Sequence, residues 1–232
     1  MTAKTVKYTT CAELKTGPQV YNIPLGLDNR GIPQPPCGLG DDERSFYLSI
    51  VKRHPQGIIV EMGVLEGRSL SHVLPWCKGN NCKVYAIDPW QDWSSHLCDH
   101  HLPEAELIYQ AFTSNMQQLG FLDYVNIIRK DSVEAARDFE DSSVDVAFID
   151  TLHTYEHTKK EIIAWWPKIK VGGELFGHDY NSENLGLIKA VNEAFGKPDV
   201  LHGCMWLVKK THEGRLNSET LQHTQLPSDG HI

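Results

Sequence analysis

The feature that most constrains this chain is a rhythm of short apolar runs, each closed by an acidic or glycine-rich turn and each followed by a helical stretch. Ile58-Ile59-Val60, Val84–Ile87, Val125–Ile128 and Val144–Ile149 are four such runs. They are too short for helices, rich in β-branched residues, and read as strands. Glu174–Gly177 follows the Gly172-Gly173 turn as a fifth, and Val200-Leu201 with Met205–Val208 suggests a closing pair. Helical patterns lie between them: from about Arg68, from about Glu104 to Gln118, from Ser132 to Phe139, from Tyr155 to the stop at Pro167, and from Leu187 to Phe195. Alternation of this kind predicts βαβ units, parallel strands and right-handed crossovers.

The expected fold class is therefore α/β: a Rossmann-like, doubly wound, mostly parallel seven-stranded sheet with helices on both faces. At 232 residues and 41% hydrophobic, the chain has material for one substantial core. Residues 1–40 are rich in Pro and Gly and read as an arm or loop, 41–210 as the folded domain, and 211–232 as a polar tail. Net charge is −8 with no Lys/Arg block, which argues against a nucleic-acid partner. The N-terminus lacks the apolar core of a signal peptide and no apolar run is long enough to span a bilayer. A cytoplasmic protein without membrane partners is the default expectation, with homo-oligomerisation left open. The six cysteines match neither a zinc ribbon nor a CxxC motif. Cys77 and Cys82 bracket a turn and are expected as free thiols.

In open parallel sheets, ligands bind beyond the carboxyl ends of the strands. The first strand runs into Glu61-Met62-Gly63-Val64-Leu65-Glu66-Gly67, where glycines let backbone approach a ligand and the next helix directs N–H groups to the same place. Asp88 closes the second strand, and a carboxylate there can accept both hydroxyl hydrogens of a ribose. An Asp at a strand end also caps turns. Taken together, loop and acid favour an adenosine-type ligand.

This combination resembles the class I S-adenosylmethionine-dependent methyltransferases. The resemblance implies that Glu61, Gly63 and Gly67 belong to the loop under the methionine part and that Asp88 holds the ribose. It also implies that Asp131 and Ser132, an ordinary N-cap in their own right, touch adenine. Trp90 either packs on the nucleoside or is a buried structural residue. Further on, Phe148-Ile149-Asp150-Thr151-Leu152-His153-Thr154-Tyr155 and Gly172-Gly173 through His178-Asp179-Tyr180 look like the FIDG-x-H-x-Y and HDY motifs of sugar and macrolide O-methyltransferases, with Thr151 in place of glycine. The resemblance covers residues 44–209.

The chemistry of these residues agrees with it. Asp150, His178 and Asp179 fall at neighbouring strand ends, where two carboxylates and an imidazole would hold Mg or Mn. His153 is the candidate general base, and Asp150 the catalytic carboxylate. The expected reaction is methyl transfer to a hydroxyl of a small-molecule acceptor, its pocket shaped by the N-terminal arm and residues 90–103. The cluster His96, Cys98, His100 and His101 lacks a second ligand pair and reads as loop surface. Two rivals stand beside this reading: a nicotinamide-dependent oxidoreductase on the same scaffold, and a non-catalytic protein that binds S-adenosylmethionine or a sugar.

Overall fold

The structure is a computed structural model; it describes residues 39–91, 105–212 and 215–217, with the backbone of 26–27 and 33–34, which form a two-residue antiparallel ladder. The sequence expectations for the arm before residue 39, the pocket-shaping stretch 92–103 with its His96–His101 cluster, and most of the tail lie outside the described residues.

Helix α1 (Asp41–Val51) opens with three acids, Asp41, Asp42 and Glu43, which suit the positive end of the helix dipole. It presents Tyr47, Ile50 and Val51 to the core. Strand β1 (Ile58–Met62), helix α2 (Arg68–Gly79), strand β2 (Lys83–Ile87), helix α3 (Ala105–Gln118) and strand β3 (Val125–Ile128) follow. After them come α4 (Ser132–Ala135), β4 (Val144–Ile149), α5 (Tyr155–Trp165), β5 (Ile169–Gly177), α6 (Leu185–Phe195), β6 (Val200–His202) and β7 (Met205–Lys209).

The seven strands form one sheet in the order β3-β2-β1-β4-β5-β7-β6. The first five neighbours run parallel, and β7 pairs antiparallel with both β5 and β6. The doubly wound architecture expected from the alternation is therefore present. Burial of most positions on both faces of β1, β2 and β4 explains why those runs are mostly apolar rather than alternating. One core lies between the sheet and α1, α2 and α3, around Tyr47, Leu70, Phe112 and Phe148. The other lies under α4, α5 and α6, around Ile162, Trp165, Val191 and Trp206. Each large side chain so buried contributes on the order of 2 kcal/mol.

Two element boundaries differ from the sequence expectation. Strand β5 begins at Ile169, well before Glu174, because the expected Gly172-Gly173 turn is absorbed into the strand. Gly172 N–H donates to Lys210 O and Lys210 N–H to Gly173 O, so β7's continuation holds the irregular stretch, while the β4 ladder slips between Val144 and Val146. The Ser132–Phe139 helix is a single turn, α4, continued by a 3₁₀ turn at Ala136–Asp138.

The order of winding reverses at β1: the chain moves outward through β2 and β3, then returns to place β4 on the other side. That switch point opens a crevice at the carboxyl ends of β1 and β4.

Candidate functional site

A cavity of about 370 Å³ occupies this crevice. Its wall follows the sheet order, from Asp131 and Ser132 after β3, through Asp88 after β2 and Gly63 after β1, to Asp150–His153 after β4 and His178-Asp179 after β5. His157 from the first turn of α5 and the apolar Leu65, Ile87, Pro89 and Leu152 complete it.

The glycine loop is built by close approach. Gly63 has φ 80°, and a Cβ there would lie 1.9 Å from the carbonyl oxygen of Asp150, so no other residue lets the ends of β1 and β4 meet. Gly67, with φ 86°, caps α2 where a Cβ would strike Phe112 and Met116. It sits behind the loop and shapes it without lining the cavity.

Asp88 is the nail through this loop. Its Oδ2 accepts the Leu65 N–H at 3.0 Å and its Oδ1 accepts the Trp90 N–H at 2.8 Å. Leu65 (φ 47°) and Trp90 (φ 40°) both hold left-handed backbone, strained for side-chain-bearing residues, and the shared carboxylate pins them. Asp88 also lines the cavity, and a carboxylate oxygen has more than one lone pair. Burial pushes its carboxyl above the usual range, against the backbone hydrogen bonds that lower it. Trp90 is buried against Tyr109 and Phe112, with its indole N–H donating to Leu65 O at 3.0 Å. The structure thus places it as a strut behind the loop, the second of its two expected roles.

Glu61 is fully buried and its pKa is pushed up to about 8, chiefly by burial, with the Ser69 hydrogen bond opposing. Ser69 Oγ donates to its Oε1 at 2.5 Å, while Oε2 has no hydrogen-bond partner. Glu61 lies beneath the loop and does not line the cavity. Asp131 caps α4, accepting from Val133 N at 2.9 Å and Glu134 N at 3.4 Å, and Ser132 stands beside it on the cavity wall.

At the other end, Asp150, His153 and Asp179 bring one donor atom each within 4.8 Å of one another. His153 Nε2 lies 2.9 Å from Asp179 Oδ2, an ion-pair separation, although its N–H is not aimed along that line. His178, expected as the third ligand beside the two carboxylates, borders both of them and also pairs with α1. Its Nε2 lies 3.2 Å from Glu43 Oε1 on α1, and its Nδ1 3.1 Å from Asp179 Oδ2 and 3.9 Å from Asp150. With carboxylates at both nitrogens, its pKa is raised to about 9 despite the opposing effect of burial. The donor atoms that converge are those of Asp150, Asp179 and His153, so His153 joins the two carboxylates in the ligand-like trio. Burial raises Asp150 to about 6, against the pull of His178, whereas the two imidazoles outweigh burial at Asp179 and hold it well below the carboxylate range.

Three participants were not legible as site residues. Glu43 accepts the Gly40 and Cys204 N–H groups at 3.0 and 3.1 Å as well as facing His178, and that partner is 135 positions away. His157 and Glu161 sit one helical turn apart on α5, an i,i+4 pair visible in sequence but unremarkable there.

Fold and site together define a class, the nucleoside-binding α/β methyltransferases. The profile of a family described as "Methyltransferase domain" matches residues 60–180, more than half of the chain, and the chain belongs to that family. It carries a domain of the S-adenosylmethionine-dependent methyltransferase class. A protein of Sinorhizobium fredii, named as uncharacterized, is 32% identical over 98 residues, 42% of this chain; the match spans only 10% of that protein's length. The O-methyltransferase NovP superposes with TM-score 0.55 at 17% identity, over 79% of this chain and 86% of its own. An S-adenosylmethionine-dependent O-methyltransferase of Thermotoga maritima gives 0.54 at 18%, over 79% and 69%. These structural likenesses establish the fold.

Proposed function

We propose that the chain methylates a hydroxyl of a small acceptor, such as a sugar, with S-adenosylmethionine lying along the cavity from Ser132 to Asp150 and a divalent cation at the Asp150 end. The observation that carries the reading is the single wall on which a ribose-type carboxylate, a side-chain-free glycine and an acid–imidazole cluster follow one another.

The residues fit the cofactor. Gly63 lines the cavity without a side chain, and Asp88 offers lone pairs to two vicinal hydroxyls. They also fit a cation, since the Asp150 and Asp179 carboxylates make a hard oxygen donor pair for Mg or Mn, with the His153 imidazole beside them as the base. When bound, such an ion would hold the acceptor oxygen and lower its pKa.

The chain's own groups then orient and deprotonate. Asp150 and Asp179 position the acceptor hydroxyl, and His153, its side chain part-exposed at the cavity edge, takes its proton through the ring nitrogen turned away from Asp179 as the methyl group leaves sulfur. Burial pulls His153 down, but Asp179 and Asp150 outweigh it and raise its pKa above the ordinary histidine value. Neutral His153 is the base, so turnover should rise with pH through a value above 6.5 and then level off.

Calorimetry with S-adenosylhomocysteine, with NAD as control, tests the cofactor half. Methylation of a panel of sugars and catechols, with and without EDTA, tests the acceptor and cation. Binding without any methylated product, or activity indifferent to EDTA, would each remove the corresponding half of the proposal.

A further inference from the structure

We propose that Glu161 sets the purine specificity of the nucleoside end, by fixing the Ser132 and Thr151 hydroxyls as hydrogen-bond acceptors that select a 6-amino over a 6-oxo purine. The inference rests on the cofactor reading above and names a specificity residue that the reading does not contain.

Glu161 is fully buried on α5, behind the cavity wall. Ser132 Oγ donates to its Oε1 at 2.5 Å, and Thr151 Oγ donates to Oε1 and Oε2 at 2.8 and 2.9 Å. His157 Nε2 lies 3.3 Å from the same Oε1. Every neighbour of this carboxylate is a group able to donate, and a carboxylate has no hydrogen to return.

Each hydroxyl owns one hydrogen, and both are spent on Glu161. Ser132 and Thr151 nevertheless line the cavity, so what they present to a ligand is lone pairs alone. The direction is held firmly: Trp165 Nε1 donates to Ser132 O at 2.9 Å, tying the backbone of the α4 turn to the helix that carries Glu161. Asp131, also on this stretch of wall, adds a further acceptor whose Oδ1 is spent on the α4 cap. A 6-amino group brings two N–H donors to such a surface. A 6-oxo group brings lone pairs against lone pairs, and a buried acceptor left without a donor is costly.

Thr151 makes this device the chain's own. It stands where the resembled motif carries glycine, which has no hydroxyl to lock. A hydroxyl on this strand end therefore couples the turn after Asp150 to the wall on which Ser132 sits, through one buried carboxylate.

The test is a ratio of affinities measured by calorimetry on the full chain, for S-adenosylhomocysteine and its 6-oxo counterpart S-inosylhomocysteine. The wild type should bind the 6-oxo ligand roughly 10- to 100-fold more weakly. In Glu161→Gln the amide returns a hydrogen to one hydroxyl and frees that hydroxyl's own, and the ratio should fall to within about threefold. Thr151→Val keeps the shape, removes one acceptor, and should narrow the ratio part of the way. A loss of stability common to both ligands cancels in the ratio. Equal affinities in the wild type overturn the proposal while leaving the cofactor reading intact. An unchanged ratio in Thr151→Val and Glu161→Gln overturns it too, and reduces Glu161 to a structural tie. Should Glu161→Gln fail to fold, Thr151→Val decides alone. Absence of wild-type binding to either ligand fails the cofactor reading and this inference with it.

Discussion

At the glycine-loop end of the cavity, Glu61 and Asp88 are buried among hydroxyl and backbone N–H donors, and both carboxyls are harder to ionise than usual. At the β4–β5 end, Asp150 and Asp179 alternate with His153 and His178, and Asp179 is far easier to ionise than usual. The same side-chain chemistry is thus used in two ways. Where neighbours are neutral, desolvation dominates and the group is suited to accept hydrogen bonds from a ligand. Where imidazoles interleave, charge pairing dominates and the cluster is suited to exchange a proton or a cation. Only Asp150 stands between the two regimes, raised by burial yet pulled back by His178.

The sharpest way to break this comparison is Asp150→Asn. Turnover should fall by about a thousandfold while affinity for S-adenosylhomocysteine stays within about threefold. Equal losses in both would show that the ends do not act separately. Asp88→Asn is the mirror experiment. It should weaken S-adenosylhomocysteine binding by about 100-fold through the ribose and the pinned Leu65–Trp90 loop, with turnover at saturation changed far less.

Stability measurements sharpen the electrostatic half. Glu61 rises from 4.5 to about 8 on folding, so the native state retains a proton that the unfolded chain has lost between those values. Stability should therefore fall as pH rises from about 4.5 to 8, and Glu61→Gln should abolish that fall. Relative to wild type, the melting temperature of Glu61→Gln should climb by about 5 °C between pH 5 and pH 8; a constant offset would contradict the assignment. His178 has the same sign, over a higher pH window. Its folded pKa of about 9 lies above the ordinary 6.5, so its stabilisation is complete below 6.5 and lost as pH rises through 9. His178→Asn should cost about 1 kcal/mol at pH 6 and little at pH 10, read from urea unfolding at each pH.

Much of the architecture was legible because it rests on local periods. The runs at Ile58–Val60, Val84–Ile87 and Val146–Ile149 are apolar because both faces of a parallel sheet are covered, and the topology rule then points to whatever follows each run. Gly63, Asp88, Ser132, Asp150 and Asp179 all follow such runs, and all five line one cavity. The roles of Trp90 and His178 were not legible to the same degree. A residue's neighbour in sequence says little about which way its ring turns once helices pack.

By itself, then, the sequence determined the order of strands and helices and the roster of strand-end groups, because hydrophobic period and turn chemistry act over a few residues. Tertiary structure alone decided the pairings among them. Glu43 reaches His178 from α1, Glu161 gathers Ser132 and Thr151 from two strand ends, and the left-handed Asp179 (φ 60°) turns the chain where Asp179 meets His153. Such contacts join segments tens of residues apart, and they exist only after burial has brought those segments together and made every unpaired polar atom costly.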